Sequence, residues 1–154
     1  MIEAPVNLFK VQEVEIFYKS AIKNSARPLI NSSTSSAELL RNYWDAGKIE
    51  HIEEFKVLLL NRANRVLGIY NVSSGGITGT VADPRNILQA AILSNATSII
   101  LCHNHPSGNL KPSRADEELT LKIKEAASYL DIRVLDHIIL TSEAHFSFAD
   151  EGIL

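Results

Sequence analysis

Ser98-Ile99-Ile100-Leu101-Cys102-His103-Asn104-His105-Pro106 is the stretch on which the fold turns. Ser98 to Cys102 reads as a short buried strand that delivers His103 to its C-terminal end. A loop rich in proline and glycine follows, from His105 to Pro112. A helix then opens near Ser113, with Leu119, Ile123, Ala126 and Leu130 expected to face the core. Arg133 to Leu140 reads as a further strand, and Phe146 to Phe148 as an edge strand. Upstream, Asp83-Pro84 marks a helix start, a capping carboxylate followed by proline at the first helical position. Ile87, Leu88, Ala91 and Ile92 fall on one face of that helix, and Asn95 ends it.

Further out, Phe55 to Leu60 is expected to be a buried strand. Asn61 to Asn64 turns it into a second strand over Arg65 to Tyr70, forming a hairpin. Ser73-Ser74-Gly75-Gly76 reads as another turn, with a third strand over Ile77 to Val81. A helix over Ala37 to Trp44 is expected, capped by Ser35 or Ser36 and stopped by Gly47. Residues 8–22 mix β-branched and aromatic side chains (Val11, Val14, Ile16, Phe17, Tyr18), which suggests a strand or hairpin arm. This order implies a mixed sheet flanked by helices, of the α/β or α+β class.

The chain has 154 residues, 45% of them hydrophobic and 21% charged, which suits one ordinary globular unit rather than a disordered one. A net charge of −3 argues against strong nonspecific attraction to nucleic-acid backbones. The best local basic group, Lys122, Lys124 and Arg133, is interleaved with acids and reads as a solvated surface. Cys102 is the single cysteine, so no intrachain disulfide can form, and a reducing compartment suits it. The start, Met1 to Pro5, lacks a signal-peptide pattern, and no apolar run reaches membrane-spanning length. A cytoplasmic location is therefore expected.

Chemistry concentrates at the strand end. Two histidines at i and i+2 of extended backbone project to the same side. Two imidazoles with one carboxylate are a recurrent catalytic zinc set that leaves a fourth position for water. Asp116 can supply the carboxylate. Ser113-X-X-Asp116 also matches a helix capping box that needs no metal. The two readings are compatible, because a helix starting here would orient Asp116 toward the histidines. Cys102 should point to the opposite face, into the core. His137, beside Asp136 in a strand, reads as a structural, hydrogen-bonded histidine or as one lining the cleft, the structural role being favoured. His51 and His145 are read as surface residues, and Trp44 as a core anchor.

His103-X-His105-Pro106, six residues, then Ser113-X-X-Asp116, resembles the signature of the JAB/MPN/JAMM metallopeptidases. His103 to Gly108 with Pro112-Ser113 is similar to its bacterial RadC branch, as are Gly79-Thr80, Pro84-Arg85, Asn95-Ala96, Asp136 to Ile139 and Ser147-Phe148. Asp83-Pro84-Arg85-Asn86 departs from the branch, which more often has a histidine and a glutamate around Pro-Arg. The resemblance covers residues 35–154, with 1–34 as an N-terminal arm or peripheral strands of the same unit. It implies a cytidine-deaminase-like JAB/MPN sheet and a short form without the helix-hairpin-helix region of full-length relatives. It further implies Zn²⁺ held by His103, His105 and Asp116, Glu53 as general base, and Ser113 as a hydrogen-bond donor to an oxyanion. Glu54 is read as an exposed charge flanking the strand. The expected activity is hydrolysis of a peptide or isopeptide amide in a peptide or conjugated protein. The alternatives are a DNA-repair-associated protein acting through nucleic-acid or protein binding, and a noncatalytic scaffold. A homo-oligomer stays open.

Overall fold

The computed structural model describes residues 9–75 and 81–154. Among the described residues, five strands form one mixed sheet in the order β2-β1-β3-β4-β5. They are β1 (Glu54–Leu60), β2 (Val66–Ser74), β3 (Ser98–Asn104), β4 (Arg133–Leu140) and β5 (His145–Ser147). Three α-helices pack on this sheet: α1 (Ser33–Tyr43), α2 (Pro84–Leu93) and α3 (Arg114–Ser128). β1 lies antiparallel to both β2 and β3, while β3 and β4 run parallel, joined by α3. β1 and β3 are buried throughout, because helices cover both faces of the sheet.

Alternation sorts the side chains into two layers. Phe55, Val57, Leu59, Ile99 and Leu101 face Ile87 and Ala91 of α2 and Ile123 and Ala127 of α3. Leu58, Leu60, Ile100, Cys102, Ile138 and Leu140 face Ala37, Leu40 and Trp44 on the α1 side. Two adjacent residues of β3 therefore serve different cores, which sends Cys102 one way and His103 the other.

Several expectations need correction. Helix α1 begins at Ser33 and is capped by Ser32, not Ser35 or Ser36. Ser35 instead completes a reciprocal box, its hydroxyl accepting from Ser32 N–H at 3.0 Å. In a run of serines each is a competent cap, and the choice falls to whichever start buries Ser36, Ala37 and Leu40. β2 runs on through Ser74 rather than turning at Ser73, because Ser73 and Ser74 still pair with Phe55 and Glu54. The expected third strand falls mainly on residues 76–80, outside the described residues. Residues 9–22 form neither strand nor hairpin, and Val14, Ile16 and Phe17 are exposed. The segment is tied down by Tyr18 Oη, which donates to Leu67 O at 2.6 Å. On α3 the buried positions are Thr120, Ile123 and Ala127, while Leu130 lies past the helix end and is exposed.

Helix α2 follows the expected chemistry. Asp83 Oδ1 accepts from Arg85 N–H at 2.9 Å, and Pro84 occupies the first turn. Asn95 takes the left-handed conformation at φ 55° just past the helix, where asparagine is tolerated. Trp44 is buried at the end of α1, with the ammonium of Lys56 4.6 Å from its ring centre.

Candidate metal centre

The site lies at the C-terminal end of β3, where it meets the first turn of α3. Parallel strand ends are where α/β sheets concentrate binding groups. His103 is the penultimate residue of β3 and is almost fully buried; His105 is two residues on, in the loop. Their Nε2 atoms are 2.9 Å apart. Asp116 Oδ1 is 3.4 Å from His103 Nε2, and Asp116 Oδ2 is 3.7 Å from His105 Nε2.

Both readings of the Ser113–Asp116 pair hold at once. Ser113 Oγ accepts from Asp116 N–H at 3.0 Å, and Asp116 Oδ2 accepts from Ser113 N–H at 2.7 Å. The box holds Asp116 against the helix start, where the positive end of the helix dipole favours a carboxylate. Asp116 Oδ1 is left to face the histidines. The Ser113 hydroxyl uses a lone pair in the cap, so its own proton is available for a further acceptor.

The protons on the imidazoles follow from their other partners. Thr120 Oγ1 lies 2.6 Å from Asp116 O and 2.5 Å from His137 Nδ1. A carbonyl can only accept, so the hydroxyl proton goes to Asp116 O, and the hydroxyl oxygen accepts from His137 Nδ1–H. Burial, and then the neighbouring His103, push the His137 pKa well below its ordinary value, so His137 is neutral and its Nε2 is bare. That nitrogen lies 2.8 Å from His103 Nδ1, which must be the donor. With Nδ1 committed to that bond, His103 turns its Nε2 to the centre as the atom that can ligate. His105 Nδ1 donates to Asn109 O at 2.5 Å, which leaves its Nε2 bare as well. Two nitrogen lone pairs and two carboxylate oxygens thus converge with no proton between them.

Such a group needs a positive charge. In the metal-free chain it recruits one: the hydrogen bond to Asp116 raises the His105 pKa, against the opposing effect of burial, with help from Asn109 O and the charges of Asp116 and Glu53. Burial alone would raise the Asp116 carboxyl, but the imidazoles of His103 and His105, which donate to it whenever an Nε2 atom carries a proton, outweigh burial and hold the group well below the usual carboxylate range. The donor set also fits a divalent ion. His103, His105 and Asp116 each offer one ligand atom, all within 4.8 Å of one another. Zinc takes nitrogen and oxygen at about 2.0–2.2 Å, so ligand atoms sharing one ion sit about 3–4 Å apart. The spacings of 3.4 and 3.7 Å fall in that range, and the 2.9 Å between the Nε2 atoms lies just below it.

Glu53 and Glu54 separate by parity. Phe55 pairs with His103, and their rings stack at 5.9 Å between centres. The ladder ends at that pair; Glu53, half-buried and two residues before Phe55, is near enough for its charge to raise the His105 pKa. Glu54 faces the other way, and here the expectation of an exposed charge fails. Glu54 is buried, with Lys56 Nζ at 3.5 Å and Lys48 Nζ at 3.7 Å. Alternation carries it into the α1 layer, where burial is sustained by the two cations.

His137 is buried and hydrogen-bonded, as the favoured reading expects, but Thr120 was not anticipated. The available signal was position: Thr120 follows Asp116 by four residues, so it shares that helix face. Asp136 is buried and accepts from Ser147 Oγ, Ala149 N–H and His137 N–H, which pins the β4–β5 corner. Cys102 is wholly buried, and burial pushes its thiol pKa far up. It should therefore resist thiol-modifying reagents in the native protein and react fully once the chain is unfolded in denaturant. Rapid labelling of native protein would place it in the site instead. His51 is exposed, and His145 is half-buried in the edge strand β5.

Comparison with known proteins agrees with the fold. The profile of the RadC-like JAB domain matches residues 30–153. A UPF0758 protein of Flavobacterium johnsoniae is 50% identical over 107 residues, 70% of this chain and 46% of the relative. One from Rubrobacter xylanophilus is 39% identical over 137 residues, 88% of this chain and 58% of the relative. The chain thus spans about half the length of the curated relatives it matches. With the family profile running from just before α1 to the end of β5 and beyond, this chain belongs to the RadC-like JAB domain family.

Proposed function

We propose that this chain is a zinc-dependent amide hydrolase of the peptidase or isopeptidase type. The observation that carries the reading is the convergence of two bare imidazole nitrogens on one carboxylate, each imidazole oriented by a partner on its far side. Hydrogen-bonded outer partners of this kind are what metal-ligating histidines require. His103, His105 and Asp116 would hold the ion. When bound, it would supply a Lewis acid that makes water a nucleophile near neutral pH and polarises a carbonyl.

The chain's own groups would do the rest. Glu53 would take the proton released by the attacking water and pass it to the departing amine nitrogen. Ser113 Oγ–H would donate to the oxygen of the tetrahedral carbon, a contribution of about 3 kcal/mol to the barrier in comparable sites. A peptide or a conjugated protein fits this chemistry as substrate. For the DNA-associated alternative the charge pattern supplies no support, since the net charge is −3 and Lys122, Lys124 and Arg133 are interleaved with acids. The noncatalytic scaffold differs in having no need of the ion.

Metal analysis separates these readings. Freshly prepared protein should carry about one zinc per chain; protein that remains metal-free after zinc exposure would sink the hydrolase. Occupancy should also depend on pH in a definite sense. A proton on His105 Nε2 competes with the ion, and the raised His105 pKa places that competition above the usual imidazole value of about 6.5. Below its pKa, apparent zinc affinity should fall about tenfold per pH unit from this residue alone. Affinity that stays flat from pH 7.5 to 5 would remove His105 from the ligand set.

A further inference from the structure

Asn104 lies between the two histidines, and alternation turns its side chain away from them, to the α1 side of the sheet, where it is fully buried. There it makes three hydrogen bonds, all to backbone of one segment some fifty residues distant. Its Oδ1 accepts from Glu54 N–H at 2.7 Å, and its Nδ2 donates to Ile49 O at 2.8 Å and Ile52 O at 2.9 Å. Both amide protons are thereby used.

The position of these bonds in the ladder gives them their meaning. The pairing of β1 with β3 ends at Phe55 and His103, and the next rung would join Glu54 to Asn104. The Asn104 side chain takes the place of that rung. On the other flank, Gly75 N–H donates to Glu53 O at 2.8 Å. The peptide unit between Glu53 and Glu54 is therefore held at its carbonyl from the β2 side and at its N–H from the β3 side. The turn before it would otherwise rest on local bonds to Asp45 O and Lys48 O. A peptide plane fixed at both ends fixes the direction in which Glu53 leaves the backbone, on the face that carries Phe55 and His103.

We propose that Asn104 is the positioning residue for the Glu53 carboxylate. The His103-Asn104-His105 tripeptide then serves both faces of the sheet: its outer residues gather the ion, and its central residue aims the base at them. This rests on the reading of Glu53 as base.

Two measurements test it. In the metal-free parent, amide exchange should show Glu54 N–H as protected as the core of β3; exchange at the rate of the Asn61–Asn64 turn overturns the proposal, even if no variant folds. In Asn104→Ser, the Glu54 amide should exchange at least about tenfold faster, with Leu101 and Ile138 unchanged. Unaltered exchange at Glu54 also overturns it. The second measurement uses Co²⁺ as the probe. Asn104→Ser should bind it within about threefold of the parent, because the ligands are oriented from the opposite face. The pH dependence of its visible cobalt absorption should shift to that of Glu53→Gln. A parent-like profile in Asn104→Ser would reduce Asn104 to a purely structural clip and overturn the proposal. So would a Glu53→Gln profile indistinguishable from the parent's. A parent chain that takes up no cobalt overturns the metal reading instead, and the exchange result in metal-free protein still decides the clip.

Discussion

Glu53→Gln should retain metal at the parent stoichiometry and lose amide-bond turnover by about 10²–10⁴-fold, the usual contribution of a positioned acid–base group. The substitution keeps volume and hydrogen-bonding capacity and removes only the ability to carry a proton. Metal should survive because the three atoms placed to share an ion come from His103, His105 and Asp116. Turnover can be followed on a panel of fluorogenic peptide amides and lysine-linked isopeptides. Glu54 supplies the contrast. Its carboxylate lies on the other face against Lys56, so Glu54→Gln would leave a buried ammonium poorly compensated. The expected cost there is stability, about 3 kcal/mol, rather than chemistry. Parent-like turnover in Glu53→Gln, with activity lost in Glu54→Gln at intact fold, would reverse the assignment of the base.

How far the sequence anticipated this arrangement depended on how local each signal was. Asp83-Pro84 and Asn95 bracket α2 by chemistry contained within a few residues, and both ends fall where expected. The His103-X-His105 spacing also carries its own geometry, since a two-residue step in extended chain returns to the same face. Glu54 shows the limit. Two adjacent glutamates before a strand look alike in sequence, and only the folded sheet decides which one acts by its charge on His105 and which one meets Lys56. The start of α1 failed for a related reason, because neighbouring serines are near-equivalent caps and the packing of Leu40 breaks the tie. Residues 9–22 have the composition of a strand, yet β-branched residues form one only where an edge is offered to them.

Thr120 and His137 illustrate a different kind of hidden information. Neither residue reaches the centre, yet together they determine which nitrogen of His103 is bare. The chain of donors starts at His103 on β3, passes through His137 on β4 and Thr120, and ends on a backbone carbonyl of α3. Such an ordering is a property of three elements meeting, and no single stretch of sequence contains it. It also explains why burial of His137 helps the site: a cationic His137 could not accept from His103 Nδ1–H.

Asp116→Asn should separate the two duties of that residue. The amide oxygen can still accept from Ser113 N–H, so α3 should keep its first turn, while the metal-free fold loses the stabilisation that the depressed Asp116 carboxyl supplies at neutral pH. Charge at the centre is lost, and the remaining ligands are two neutral imidazoles. Losing an outer partner of a metal ligand typically costs 10–100-fold in affinity, so losing a ligand outright should exceed about a hundredfold. Asp116→Ala should weaken zinc at least as much and also remove the reciprocal cap, a further cost of about 1 kcal/mol in unfolding free energy. The comparison uses zinc titration for affinity and denaturant unfolding of the metal-free proteins for stability. Asp116→Asn that binds zinc like the parent would leave Asp116 a capping residue alone. The convergence of Nε2 atoms at 2.9 Å would then need a different third partner.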